Sequence, residues 1–183
     1  MFEEKLGKIE DSMSRKQLYN IMFDMLKHHK ISGAQLLDIC TKQMQGESAQ
    51  DVIADVLRFV IPSCIKSYIP LDMYMKYHND IFELLIDGIL SSGTIKGEST
   101  QHLIFDSALI SARNEAHLKL LVDWYESGKV ANTKGKEIQG FTLSLKQKHS
   151  MIRRIWASAT IPLEKKQALL DDISKTENSD WIE

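Results

Sequence analysis

The chain has 183 residues, of which 43% are hydrophobic and 26% are charged, a balance typical of one globular domain. Its 23 basic and 25 acidic residues give a formal net charge of -2, which favours neither nucleic acid nor a membrane as a partner. The charged N-terminus is not a secretory signal, and no apolar run reaches the roughly 20 residues of a membrane span. The only two cysteines, Cys40 and Cys64, indicate reduced thiols. We therefore expect a soluble, cytoplasmic protein.

The first third of the chain predicts three amphipathic helices. The first has an apolar face of Leu18, Ile21, Met22 and Met25. It should begin after Ser14, because Ser14 and Gln17 have the spacing of a capping box, and it should end in HHKISG. AQLLDICTKQM is the second. The third should open at Ser48 and bend at Pro62, which lacks a backbone donor. Its apolar face comprises Val52, Val56, Phe59 and Val60.

The remaining helices follow the same pattern. The longest begins at Pro70 and ends in Ser-Ser-Gly, with a stripe of Phe82, Leu85, Ile86 and Ile89. Residues 99–111 and 114–127 form a helical pair, and the second of them ends at Gly128 in a left-handed conformation. Two more helices lie in LKQKHSMIRRIWASA and PLEKKQALLDDIS. The apolar residues of the first are Ile152, Ile155 and Trp156. Those of the second are Leu163, Leu169, Leu170 and Ile173.

This succession of helices and short connections predicts an all-α fold. We expect residues 1–183 to form a single domain, a right-handed α-α superhelix of antiparallel helix pairs like those of HEAT and armadillo proteins. The longest irregular segment, GKVANTKGKEIQGFTL, contains three glycines and several charged residues, and is typical of a solvated loop between helix pairs.

The sequence lacks the spacings that common catalytic sites require. Its six histidines include no pair at i, i+4 that could bind zinc, and no Gly-x-Ser-x-Gly segment occurs. Cys40 and Cys64 lie on apolar helix faces, where a thiol fills the core. The acidic pairs Glu83 and Asp87, and Asp171 and Asp172, are typical of solvated faces. We therefore expect no metal and no cofactor in this chain, and no activity from it alone.

Two groups of residues remain as candidates for binding. A basic group on one predicted helix suits a carboxylate or a phosphate, or is simply exposed surface, and comprises Lys146, Lys148, His149, Arg153 and Arg154. Trp124 and Tyr125 could stack on a ligand, but their helical spacing from Leu121 and Val122 favours a place in the core.

The order of these features resembles the C-terminal helical domain of M1-family zinc aminopeptidases of the aminopeptidase N type. A helix that ends in a tryptophan and a small residue (Trp124, Gly128) precedes a short segment that begins with glycine and ends with leucine (140–145). An arginine-containing helix and a small-residue turn follow (153–159), and then a helix closing on acidic and Ser or Thr residues (170–180). The resemblance covers nearly the whole chain.

In that family the helical domain covers the catalytic domain and shapes the peptide-binding cavity. The resemblance therefore implies the catalytic domain of a parent aminopeptidase as the partner, contact with peptide substrates only indirectly, and zinc in the full-length parent. This chain has neither the zinc-binding His-Glu-x-x-His nor the Gly-Ala-Met-Glu-Asn segment, and it resembles an incomplete copy of the domain. Of its basic residues, Lys148, Arg153 and Arg154 are the candidates for contact with a peptide carboxylate.

Two other classes of function stay open. An independent HEAT-like scaffold would bind a protein partner along its groove without any relation to aminopeptidases. A self-contained enzyme would need titratable groups that converge in one pocket, which no spacing in this sequence predicts.

Overall fold

The computed structural model describes residues 6–180, with side chains as far as residue 175. Within that part of the chain all regular elements are helices, which confirms the all-α prediction. They are α1 (Ser12–Lys27), α2 (Gly33–Met44), α3 (Gln50–Asp55, Val56–Val60 and Ile61–Tyr68 in succession), α4 (Leu71–Glu83, Leu84–Ile89 and Leu90–Ser92 in succession), α5 (Glu98–Ser111), α6 (Glu115–Ser127), α7 (Leu145–Trp156) and α8 (Leu163–Asp180). The last residues of the aminopeptidase-like pattern, 176–180, lie outside the described side chains.

The helices pack in two interleaved series, because each contacts the next but one along the chain. Helix α3 packs against α1 and α5, and α5 packs in turn against α7. Helix α4 packs against α2, and side chains extend this second series from α4 to α6 and from α6 to α8. Helix α5 contacts α3, α4 and α7, and its buried residues therefore include polar Thr100 and Ser111 as well as apolar ones.

Helix α1 begins earlier than the sequence predicted. Its N-cap is Asp11, whose carboxylate accepts the backbone N–H of Ser14, so the predicted start after Ser14 is wrong. A carboxylate is an effective acceptor for the free N–H groups of a first turn. Reciprocal capping boxes occur instead at α2 and α7, where Ser32 pairs with Gln35 and Ser144 with Gln147.

Helix α3 continues through Pro62, although we expected it to bend there. Residues Val56–Val60 form a π-helical segment in which the N–H of Ile61 bonds to the carbonyl of Val56. This wider turn rearranges the hydrogen bonds just before Pro62, which has no N–H of its own to give. It also rotates Phe59 away from the predicted apolar face, and the side chain is 61% exposed.

Most predicted apolar faces are buried, including the whole stripe of α4. In α1, however, Tyr19, Met22 and Leu26 are buried whereas Ile21 is exposed. The ends of α7 and α8 also differ from the prediction, since Trp156, Leu163 and Leu170 are exposed although Ile155, Leu169 and Ile173 are buried. Helical spacing defines a broad face, and the neighbouring helix covers only part of it.

The segment after α6 was predicted to be a solvated loop. It is a loop with exposed charged residues, but several of its apolar residues are buried. Val130, Ile138 and Phe141 are buried, and the ring of Phe141 lies 4.9 Å from that of Phe105 in α5. The side chain of Asn132 accepts the N–H groups of Lys134 and Lys136 and so closes the exposed turn between them. The charged residues of this segment thus face solvent, while its buried apolar residues pack the segment against the core.

An ion pair attaches α1 to the connection between α2 and α3. Both oxygens of Glu47 accept hydrogen bonds from Arg15, at 2.8 Å each, and Arg15 also donates to the carbonyls of Ile9 and Glu10. Burial would raise the pKa of Glu47, but the bonds from Arg15 and from the N–H groups of Ala49 and Ser48 outweigh it and lower the pKa. The carboxylate is thus paired, as a buried charge must be.

Aromatic rings join the second half of the fold. Trp124 is 2% exposed, and its ring centroid lies 6.0 Å from that of Phe82 in α4 and 5.8 Å from that of Phe105 in α5. His117, one face of which stacks on Phe82, lies in the same cluster. Trp124 therefore belongs to the core, as predicted, and α6 ends at Gly128 with φ of 69°.

Helices α2 and α3 approach so closely that only glycine fits at the start of α2. The thiol of Cys64 donates to the carbonyl of Gly33 at 3.3 Å, and a Cβ atom on Gly33 would lie 2.4 Å from the carbonyl oxygen of Tyr68. Contacts that short displace one of the two backbones. We expect Gly33→Ala to lower the free energy of unfolding by about 1–3 kcal/mol, as overpacking does, in chemical denaturation.

Gly46→Ala is the matched control for this variant, since a Cβ there meets nothing within 4 Å. It should leave stability unchanged or raise it slightly. Equal stability of the two variants would show that α2 and α3 can separate without cost.

The aromatic cluster gives a second prediction. Trp124→Ala should lower the free energy of unfolding by about 3–5 kcal/mol, because it removes a fully buried ring from between three elements. Trp156→Ala, at a ring that is 42% exposed, should cost at most about 1 kcal/mol. Thermal melts of both variants would measure the difference, and equal melting temperatures would contradict the core assignment of Trp124.

Candidate functional site

The three basic residues predicted to contact a carboxylate lie on α7 but do not converge. Arg153 and Arg154 line a shallow groove between α5 and α7, together with Asp106, whose carboxylate partly offsets their charge. Lys148 is not among the residues of that groove, and its ammonium lies 5.8 Å from the centre of the Tyr125 ring on α6. The structure therefore places Arg153 and Arg154 in one groove and Lys148 apart from them.

Arg154 has a structural role as well. Its Nε donates to the carbonyl of Leu109 at 2.9 Å, and Nη2 donates to that of Ile110 at 2.8 Å. Both carbonyls belong to the last turn of α5, and that of Leu109 also accepts the N–H of Ala112 at 3.3 Å. Burial, and then the nearby Arg113, lower the pKa of Arg154. Arg154 thus attaches α7 to the end of α5 through two of its five N–H donors.

One residue of each acidic pair takes part in packing, while Glu83 and Asp171 are exposed as predicted. Asp87 accepts the N–H of Thr133 at 2.9 Å and also its hydroxyl, which fixes the segment after α6 to α4. Asp172 accepts the hydroxyl of Tyr125 at 3.0 Å and so joins α8 to α6. No group of three or more potential metal ligands occurs among the described residues. Over the same residues, no helix is long and apolar enough to cross a membrane.

An apolar cavity lies elsewhere, between α3, α4 and α5. Its volume is about 350 Å³, within the range of small-molecule sites. Leu57, Ile61 and Ile65 of α3, Ile81 of α4 and Ile110 of α5 supply its apolar walls. The cavity opens to solvent beside Ile110, which is 57% exposed. The polar residues that line it are Lys66, Tyr74, His78, Ser107, Ser111 and Arg113.

His78 is the most unusual of these polar residues. It is 3% exposed, and neither ring nitrogen has a hydrogen-bond partner among the described residues. The ring of Tyr74 meets it edge-on with centroids 4.4 Å apart. Burial, and then the charges of Arg113 and Arg154, lower the pKa of His78 to about 4. At neutral pH the ring is thus uncharged and offers one N–H donor and one acceptor.

Two cations lie at the exposed rim of the cavity. The guanidinium of Arg113, in the connection between α5 and α6, lies over the ring of Tyr74 at 5.3 Å from its centre. Lys66 lies on the outer end of α3. No ion pair to either cation occurs in the described part of the chain, and none of the residues that line the cavity is acidic. The site therefore favours a negatively charged ligand over a positive one.

Sequence reasoning missed this site, although one signal was present. His78 occupies an apolar stripe, at i, i+3, i+4 and i+7 with Ile81, Phe82 and Leu85, where a polar residue requires an explanation. Lys66 and Arg113 gave no such signal, because they belong to different elements and meet only through the packing of α3, α4 and α5.

Comparison with known proteins found no matching family model, no matching curated protein and no matching solved structure. The geometry of the chain itself is therefore the basis for any function proposed.

The buried histidines predict how stability depends on pH. Burial also lowers the pKa of His117 to about 4, against a smaller opposing effect of Asp87. Because both pKa values in the folded chain lie below the ordinary 6.5, the unfolded chain binds more protons between pH 6.5 and 4. The stability contributed by the two neutral rings is complete above about pH 6.5 and is lost as the pH falls toward 4.

We therefore expect the free energy of unfolding, measured by chemical denaturation, to be lower at pH 5 than at pH 7.5. The decrease should be smaller in His78→Phe, which keeps an aromatic ring but cannot be protonated. His28→Gln, at an exposed position just after α1, is the control. A decrease in His78→Phe as large as in the unaltered chain would contradict the prediction.

Proposed function

We propose that this chain is a non-catalytic helical module that acts by covering a partner, in the way that the C-terminal domain of an M1-family zinc aminopeptidase covers its catalytic domain. The observation that carries the proposal is the series of contacts from each helix to the next but one. Such contacts are what a superhelix of helix pairs requires, and a superhelix has an extended concave surface.

The roles of individual residues follow from this proposal. The buried Trp124 and the left-handed Gly128 form part of the wall and do not contact a ligand. A peptide carboxylate would meet Arg153 first, since Arg153 is exposed whereas Arg154 is bonded to α5. Lys148 would act from a separate position beside α6. Zinc would belong to the parent enzyme, and the two buried, free thiols suit a reducing compartment such as the cytoplasm.

A second candidate is an independent HEAT-like scaffold that binds a protein partner. The observation that favours it is a set of large apolar side chains that are exposed on α3, α4, α5, α7 and α8. These are Phe59, Leu71, Ile110, Trp156 and Leu163. The two candidates share one architecture and differ in whether the partner is part of the same polypeptide.

The sequence of the native transcript upstream of Met1 distinguishes them. We expect an open reading frame there that encodes His-Glu-x-x-His, because the covering role requires a catalytic domain on the same chain. The intact mass of the native protein, determined by mass spectrometry, provides an independent check. A native protein of the length printed here, with no such motif upstream, would contradict the covering role and favour the independent scaffold.

A further inference from the structure

The cavity between α3, α4 and α5 has the features of a ligand site. Its apolar walls come from three helices, so its shape is set by the core packing and not by a loop. Of its polar lining residues, His78 is buried, while Lys66 and Arg113 are exposed. An apolar enclosure with a few polar groups at defined positions is the usual form of a small-molecule site.

The buried ring of His78 needs a partner. A buried donor or acceptor that is left without a hydrogen bond costs about 1–3 kcal/mol, so a ligand that bonds to such a group gains free energy. His78 is 3% exposed and neither of its nitrogens is bonded to any described residue. Its ring lines the cavity, so a molecule in the cavity can bond to it.

The charges define the kind of molecule. Arg113 and Lys66 are both cations, and the lining contains no carboxylate to neutralise them. Arg154 and Asp106, of opposite charge, both line the separate groove beside α7 and not this cavity. Guanidinium groups bind carboxylates through two parallel hydrogen bonds. The remaining walls are aliphatic, which suits a hydrocarbon chain.

We propose that this cavity binds a small aliphatic monocarboxylate, with the hydrocarbon chain against Ile61, Ile65 and Ile81 and the carboxylate bonded to Arg113. His78, which like Arg113 contacts the ring of Tyr74, completes the site by donating its ring N–H to the same carboxylate. This inference is independent of the covering role, because it concerns a cavity within the helical layers and requires no other domain.

Isothermal titration of the whole chain with octanoate tests the proposal. We expect saturable binding at one site. Octylammonium, with the same chain and the opposite charge, should not bind, and octanol should bind at least about tenfold more weakly because it cannot pair with Arg113. Equal affinity for the three compounds would overturn the proposal, and so would the absence of binding by octanoate.

Variants locate the site. Arg113→Gln should weaken octanoate binding about tenfold, because it removes one charged hydrogen bond. Lys119→Gln, at an exposed lysine on α6 away from the cavity, should leave the affinity unchanged. Ile110→Trp should block the cavity without disturbing the core, because Ile110 is largely exposed. Unchanged affinity in both Arg113→Gln and Ile110→Trp would place octanoate elsewhere and refute the assignment.

Chemical shifts of the unaltered chain provide a test that needs no variant. Amide signals of α3, α4 and α5 should move on addition of octanoate, while those of α1 and α8 should not. Tighter binding of an acetylated tripeptide ending in leucine, at the same amides, would assign the cavity to the ends of peptides and overturn the proposal of a free acid.

Discussion

Burial of the Trp124 ring is the interaction on which the second half of the fold depends. The ring brings together Phe82 of α4 and Phe105 of α5, and Phe105 in turn contacts Phe141 from the segment after α6. Helix α5 contacts α3, α4 and α7, and the Trp124 ring covers the side of α5 that carries Phe105. The apolar area of large rings outweighs the cost of ordering a long irregular segment against the core.

Two π-helical segments, Val56–Val60 in α3 and Leu84–Ile89 in α4, lie within helices that line the cavity or pack beside it. In α3 the wider turn precedes Pro62 and turns Phe59 outward. Pro62 and its neighbour Ile61 both line the cavity. Segments of this kind change the direction of side chains without ending a helix, and they occur often at functional sites.

Two buried polar groups show how differently this protein treats its interior. Glu47 is ionised and fully paired, and its bonds to Arg15 and to backbone N–H groups connect α1 with the start of α3. His78 is buried to a similar degree without any described partner, and it is held neutral by its surroundings. The first arrangement stabilises the fold, whereas the second leaves hydrogen-bonding capacity inside a cavity, which is the property of a site.

The sequence by itself determined the helical class, most of the helix positions and the core role of Trp124, because apolar spacing, Gly128 and the residues near each helix end act within a few positions of the chain. It could not determine that α3 passes through Pro62, or that Val130, Ile138 and Phe141 are buried, since these depend on what the neighbouring helices leave uncovered. The cavity was also beyond the sequence. Lys66, His78 and Arg113 are far apart along the chain, and only the packing of α3, α4 and α5 places them around one space.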